Sequence, residues 1–306
     1  MTNEISFPCA IDNTMRKELV KCQMAAHYRF EMGLSDGKDK VDLHAGGAFA
    51  AGLEAMRKAF YTQGKSQSDA LVVGVEALYK AYGNFVCPAD SNKSADRMAG
   101  ALTFYMQEKP MEGDPLTPLV LPNGEVGIEM SFNYEIPVEH PYNERFLTYC
   151  GRYDVLAIDA KRRVWICDEK TTKQLGDKWP NQWALDGGLT GYCWGAKKLL
   201  EEHGLDYEVA GAVINGIAIK LRDYAYMRVD TYRQDWQIQK WYEQMLTDVR
   251  TWKSAYIAQK HNQTLDHTCA YYMNPCMYAP LCLSANPERL VEGSYVVKFW
   301  NPLTRS

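Results

Sequence analysis

No apolar run in the 306 residues approaches the roughly 20 that a membrane span needs. The first stretch, MTNEISFPCAIDN, lacks the basic and then apolar pattern of a secretory signal, so a cytoplasmic location is expected, or the host cytoplasm for a phage protein. A positive surplus is missing too: 34 Lys and Arg against 38 Asp and Glu leave a net charge of −4, which argues against a general basic coat for nucleic acid. The sign says nothing more about DNA, because a site rich in metal-binding acids looks acidic before its cations are counted. There is no Walker phosphate loop, helicase segment or internal repeat, so any motor would be a separate chain. Nor is there a disordered composition: 46% hydrophobic and 24% charged residues suit one large globular domain or two small ones.

What is present centres on Gly151 to Thr172, GRYDVLAIDAKRRVWICDEKTT. It reads as two strands joined by a polar turn at Ala160 to Arg163. In the second strand the period of two puts Asp168 and Lys170 on one face and Glu169 on the other. Antiparallel pairing brings Asp154 opposite the Asp168 region, so two carboxylates and an ammonium converge. Such charges in apolar strands are costly unless they neutralise one another or hold a cation, and these oxygen ligands suit magnesium or manganese. A structural ion pair at a strand end is the plainer reading of an isolated D-x-K. Glu169, facing away, is expected to be dispensable, and Glu169→Gln to keep substantial activity. Lys161, Arg162, Arg163, Lys170, Lys173 and Lys178 make a basic neighbourhood able to meet phosphates, or a solvated face.

G-R-x-D, an apolar strand, a turn, an apolar strand and D-E-K-T-T together resemble the PD-(D/E)XK nuclease superfamily, in its RecB-like exonuclease branch, which includes AddB-type and CRISPR-adaptation nucleases. The resemblance implies an α/β fold with a restriction-endonuclease-like mixed sheet flanked by helices. It implies that Asp154 and Asp168 bind the metal and that Lys170 positions and activates the attacking water. It also gives a role to His44, in the small-residue helix LHAGGAFAAGLE, where the branch carries a histidine that reaches the metal or the phosphate; a lone helical histidine is otherwise a core or surface residue. Glu129, on the expected strand GEVGIEMSFNYEIPV, resembles an acid that extends the cluster, with a solvent-facing glutamate as the alternative. The branch's Q-x-x-x-Y places Tyr192 on the substrate path, but Gly188 stands where the glutamine belongs. Either Gln182 replaces it or the contact is absent.

The first third reads as helical. An amphipathic helix MRKELVKCQMAAHYRFEMGL is followed by VDLHAGGAFAAGLEAMRKAFYTQ, SDALVVGVEALYKAYGNF and ADRMAGALTFYMQE. Prolines between Pro110 and Pro122 mark an expected seam between helices and sheet. After the hairpin come a helix ending at Gly204, two strands, VAGAVINGIAIKL and YAYMRVDTYR, and a helix from Asp235 to about Gln259 whose Trp236, Trp241 and Trp252 are read as core. The expected domains are 1–110, a helical part; 111–260, the nuclease core; and 261–306, a cysteine-rich cap.

Nine cysteines without a secretion signal point to a metal site or scattered core thiols rather than disulfides. Cys9, Cys87, Cys150, Cys167 and Cys193 are dispersed and read as packing or surface residues. Cys269, Cys276 and Cys282 crowd a turn-rich segment as a metal-wrapping loop would. By resemblance to RecB-like iron-sulfur nucleases, Cys22 is the fourth ligand of a 4Fe–4S cluster. Four thiolates also suit structural zinc. The wide spacing from Cys269 to Cys276 leaves His267 as a substitute for Cys269.

Three functions are carried forward. One is a metal-dependent DNA exonuclease of recombination, repair or phage DNA processing. The second is a CRISPR-adaptation-type nuclease that trims DNA ends for a partner. The third is a catalytically silent nucleic-acid-binding member of the fold. The partners implied are DNA and, as a separate chain, a recombination or annealing protein, a helicase or a CRISPR-adaptation protein.

Overall fold

A computed structural model of the protein describes residues 5–38, 40–271 and 274–304. After a short strand β1 (Ala10–Ile11), helix α1 (Asn13–Lys21) begins where the Asp12 carboxylate accepts the Met15 N–H at 2.8 Å. It stops at Cys22, which is extended with φ −164° and ψ 119°. The single helix expected from Met15 to Leu34 is thus broken at its cysteine. Helix α2 (Gln23–Ala26) runs into a π turn, His27–Glu31, closed by the bond from Met32 N–H to the His27 carbonyl at 3.0 Å. Strand β2 (Leu34–Ser35) follows.

Three long helices come next, close to the expected positions: α3 (Val41–Tyr61), α4 (Gln67–Tyr82) and α5 (Ala95–Glu108). Ser66 and Ser94 cap the last two by accepting the N–H groups of Asp69 and Arg97. Helices α3 and α4 meet at Gly52 and Gly74. A Cβ on Gly74 would stand 2.8 Å from the Gly52 carbonyl oxygen, so the crossing requires glycine.

The remaining elements are β3 (Thr117–Pro118), β4 (Ser131–Glu139), β5 (Phe146–Arg152), β6 (Val155–Ile158), β7 (Arg163–Thr172), α6 (Gly187–Glu202), β8 (Glu208–Ile219), β9 (Tyr224–Tyr232), α7 (Asp235–Ile257), β10 (Ala270–Tyr271), β11 (Asn274–Pro275), α8 (Ala279–Leu283), α9 (Pro287–Ser294) and β12 (Val296–Val297). The largest sheet runs β3-β6-β7-β8-β9, with β7 and β8 parallel and the other neighbours antiparallel. A helical crossover, α6, joins the parallel pair, as such a connection requires. The fold is α/β, with helices and mixed sheet as expected.

The chain divides into two compact units that differ from the expected boundaries at 110 and 260. One is Asp39–Ser131 with Arg152–Ile238, and the other is Met1–Lys38, Phe132–Gly151 and Gln239–Ser306. The first unit takes in helices α3 to α5 because their apolar faces pack on Ile217 and Ile219 of β8. The proline-rich stretch is not a seam: Thr117 and Pro118 pair with Ile158 and Ala157 as an edge strand, where a missing N–H costs little. The second unit is built from both ends of the chain around a three-stranded sheet, β1-β5-β4.

Candidate functional site

The hairpin forms as expected, with Val155 opposite Cys167 and Ile158 opposite Val164. Asp159 fixes its turn. One carboxylate oxygen accepts the N–H groups of Lys161 and Arg163, both at 2.9 Å, and the other accepts from Arg163 Nε and Trp165 Nε1. These bonds outweigh the effect of burial and bring the Asp159 pKa down to about 2. Asp154 stands one step before β6, and its Oδ2 accepts the backbone N–H of Glu169 at 3.0 Å. That bond pins the first acid to the strand that carries the second.

Asp168 is 6% exposed, and its Oδ2 lies 2.5 Å from Lys170 Nζ. Burial, then the charges of Asp168 and Glu169, raise the Asp154 pKa to about 7 against the pull of Lys170. Burial also raises the Asp168 pKa, with Lys170 opposing. The Lys170 pKa moves up as well: burial works against the ammonium, but the charges of Asp168 and Asp154 outweigh it. Two carboxylates side by side, each with its pKa pushed up by burial, favour a hard divalent cation, and their oxygens are the ligands magnesium and manganese take. The donor set therefore fits such an ion.

Glu169 points to the opposite face, as the alternation requires, but it does not reach water. Its carboxylate, 4% exposed, pairs with both guanidinium nitrogens of buried Arg57 and accepts from Tyr105 Oη at 3.1 Å and Asn215 Nδ2 at 3.3 Å. Tyr226 donates in turn to Asn215 Oδ1 at 2.7 Å. This buried network beneath the acids is absent from the sequence reading. Its signals were Arg57 within the apolar stripe of α3 and Asn215 within an all-apolar strand, since each needs a partner when buried.

The other expected residues are placed unequally. Tyr192 of α6 is close enough to Lys170 to act on its charge, and its carbonyl accepts from Tyr153 Oη at 3.3 Å. Asp186, which caps α6 by accepting the Leu189 N–H at 2.9 Å, bears on Asp168 in the same way and was not anticipated. Glu129 precedes β4 instead of lying within it. Its φ is +52°, and its carboxylate pairs with Arg152 Nε at 2.9 Å while its N–H donates to the Asp154 carbonyl at 3.1 Å. His44 is turned to the Tyr82 carbonyl, 2.8 Å from Nε2, and stacks on Phe85; it does not form a three-ligand group with the acids. Gln182 sits in a 3-10 turn with Nε2 donating to the Trp179 carbonyl at 2.9 Å, which uses the amide proposed to replace the glutamine missing at Gly188. Lys93, 5% exposed at its side chain, pairs with Asp42 at 2.9 Å and lies 3.5 Å from Thr171 Oγ1, a buried cation beside the end of β7 that sequence did not single out.

In the other unit, Cys22, Cys276 and Cys282 pack around a buried cluster of Ala25, Tyr28, Leu34, Tyr278 and Leu281. The strands β10 and β11 form a small hairpin that closes the wide gap between Cys269 and Cys276, with the Cys276 N–H donating to the Cys269 carbonyl at 2.7 Å. Burial, then the charges of Cys22, Cys276 and Cys269, raise the Cys282 pKa, so all four sulfurs share one neighbourhood. Burial also weighs on the Cys22 thiolate, but backbone N–H groups of Ala25, Thr264 and Met24 with the Thr264 hydroxyl outweigh it and lower its pKa. The four are not a set with every sulfur pair within 4.8 Å, whereas a tetrahedral zinc with bonds of about 2.3 Å would hold its sulfurs about 3.8 Å apart. His267, 82% exposed, faces Asp266. Cys150, Cys167 and Cys193 are buried, as the packing assignment expects.

No family model and no curated protein matches the sequence. Among solved structures, one from Eubacterium rectale named "putative exonuclease" is similar at 8% identity and a TM-score of 0.47, over 85% of this chain and 87% of that one. A second, named SSO0001, is similar at 13% identity and a TM-score of 0.29, over 88% and 94%.

Proposed function

We propose that this protein is a metal-dependent deoxyribonuclease of PD-(D/E)XK type that hydrolyses DNA from ends, in recombination, repair or phage DNA processing. The observation that supports it most is the convergence of Asp154, Asp168 and Lys170 at one strand pair. One carboxylate there, Asp168, is buried, Asp154 is half-buried near it, and the ammonium, 45% exposed at its side chain, reaches solvent. Asp154 and Asp168 would hold magnesium or manganese, which when bound supplies Lewis-acid polarisation of a phosphodiester. Lys170, held as an ammonium, donates to an attacking water and to the phosphate oxygens; it is not the base. Tyr192 lies beside Lys170 on the path of the strand. The Glu169 and Arg57 pair fixes the backbone that positions Asp154 through the Glu169 N–H.

The four cysteines are proposed as ligands of a 4Fe–4S cluster that ties the two ends of the chain. Trimming of ends for a CRISPR-adaptation partner remains compatible with the same site, whereas a silent binding role is disfavoured by the intact acids and lysine.

End-labelled linear and covalently closed circular DNA, incubated with the protein and Mg²⁺ or Mn²⁺, test the reading together. Linear DNA should shorten from its ends and circular DNA should survive. A folded protein that leaves both intact in both metals contradicts a nuclease, and equal attack on circles contradicts the end requirement.

A further inference from the structure

A second set of metal-type ligands stands in the unit that carries the cysteines. His27, Glu31 and His261 are the one group of three or more His, Cys, Asp or Glu among the described residues whose ligand atoms all lie within 4.8 Å of one another. The π turn makes half of it. The widened turn sets His27 and Glu31 one above the other, Nδ1 2.6 Å from Oε2. The segment after α7 brings His261, with Nε2 3.0 Å from Oε1. The Glu31 side chain is wholly buried, that of His261 is 3% exposed and that of His27 14%. Fully buried Trp252 donates Nε1 to Glu31 Oε1 at 2.6 Å, the kind of outer contact that orients metal ligands. Both imidazoles line a cavity of about 790 Å³, together with Met24, Met32, Tyr295 and Val297.

Contacts with Trp252 Nε1 and the two imidazoles satisfy the carboxylate oxygens. A carboxylate shut away from water needs a positive partner. The two imidazoles stack with centroids 4.2 Å apart, which brings one ring nitrogen of each to the same carboxylate. A divalent ion offsets the carboxylate and takes one lone pair from each ring. Two imidazoles and a carboxylate are a donor set of zinc and its first-row neighbours, and π turns concentrate at functional sites. Donor atoms around a tetrahedral ion with bonds of about 2.0–2.1 Å stand about 3.3 Å apart. The present contacts of 2.6 and 3.0 Å need open by less than an ångström.

We propose that His27 Nδ1, Glu31 and His261 Nε2 bind one zinc-class divalent ion, its fourth position open to the cavity for a water or small donor ligand. This site is separate from the acids of the hairpin and from the four cysteines, and it does not depend on the nuclease reading.

Anaerobically purified full-length protein, titrated with Co²⁺ in saturating Mg²⁺, tests it. One equivalent should bind with the visible absorption of a four-coordinate nitrogen and oxygen site and without sulfur-to-cobalt charge transfer, and Zn²⁺ should displace it. His27→Gln and His261→Gln, each checked for fold by circular dichroism, should weaken binding at least about tenfold, while Cys193→Ala leaves the band in place. Absence of the band in the parent protein overturns the site, as does unchanged affinity in folded His261→Gln. Should the variants not fold, nitrogen-15 NMR of the parent decides: Zn²⁺ must shift the ring signals of His27 and His261, and unshifted signals overturn the proposal.

Discussion

Lys170 keeps its proton through the working pH range, so its contribution to catalysis is a positive charge at a fixed point. Lys170→Ala should lower kcat by about 10²–10³-fold with DNA affinity changed much less, read from single-turnover kinetics and filter binding. Equal losses in both would make it a binding residue. Asp154 sets the pH dependence. Its folded pKa, about 7, lies above the ordinary carboxylate value, so the folded state holds the proton more tightly and the metal-free protein loses this contribution to stability as pH rises from about 4 through 7. A divalent ion takes the proton's place. Mg²⁺ should therefore raise the melting temperature more at pH 8 than at pH 6, and an equal rise at both would contradict the assignment. Glu169 was legible in its direction but not in its surroundings: alternation says which face it takes, whereas Arg57 comes from a helix more than a hundred residues earlier in sequence. Glu169→Gln leaves the buried guanidinium uncompensated and should cost about 3–5 kcal/mol in urea unfolding. It is not the neutral control that its outward direction implied.

At the level of elements, the β6–β7 hairpin is stabilised by its own turn. Asp159→Ala removes four donors' common acceptor and should destabilise the protein by about 1–3 kcal/mol in urea unfolding, with the hairpin still formed. A loss under about 0.3 kcal/mol would mean that sheet packing alone sets the turn. Elements with long, regular apolar periods were legible: α3, α4, α5, α6, β8 and β9 stand where the pattern puts them. The break at Cys22 was not, because the helical period runs on unchanged through a residue that the structure holds extended. The tryptophans of α7 were read alike, yet Trp252 is fully buried, Trp241 8% exposed and Trp236 61% exposed, since the last stands in the first turn, away from the packed face. Glu129 looked like a strand residue by alternation; a left-handed φ put it ahead of β4 and beside Arg152.

Over the whole molecule, the units are discontinuous in sequence and so differ from linear boundaries at 110 and 260: chain order does not record that residues 1–38 share a unit with 239–306. Cys22, near the start, and Cys269, Cys276 and Cys282, near the end, fall in that same unit. Protein purified without oxygen should be brown and bleach with dithionite, with about four iron atoms per chain. Cys276→Ala or Cys282→Ala should lose the colour and much of the soluble yield, whereas Cys193→Ala, a buried thiol far from the group in sequence, should keep both. Colourless protein with stoichiometric zinc would reject the iron. The centre formed by Asp154, Asp168 and Lys170 carries the functional reading, and cleavage of end-labelled linear DNA by Asp168→Ala beside the parent protein tests it most directly. With both proteins shown to be folded and Mg²⁺ or Mn²⁺ present, the parent should degrade the DNA and the variant should be slower by at least about 10²–10³-fold. A folded Asp168→Ala protein that cleaves at the parental rate would contradict the assignment.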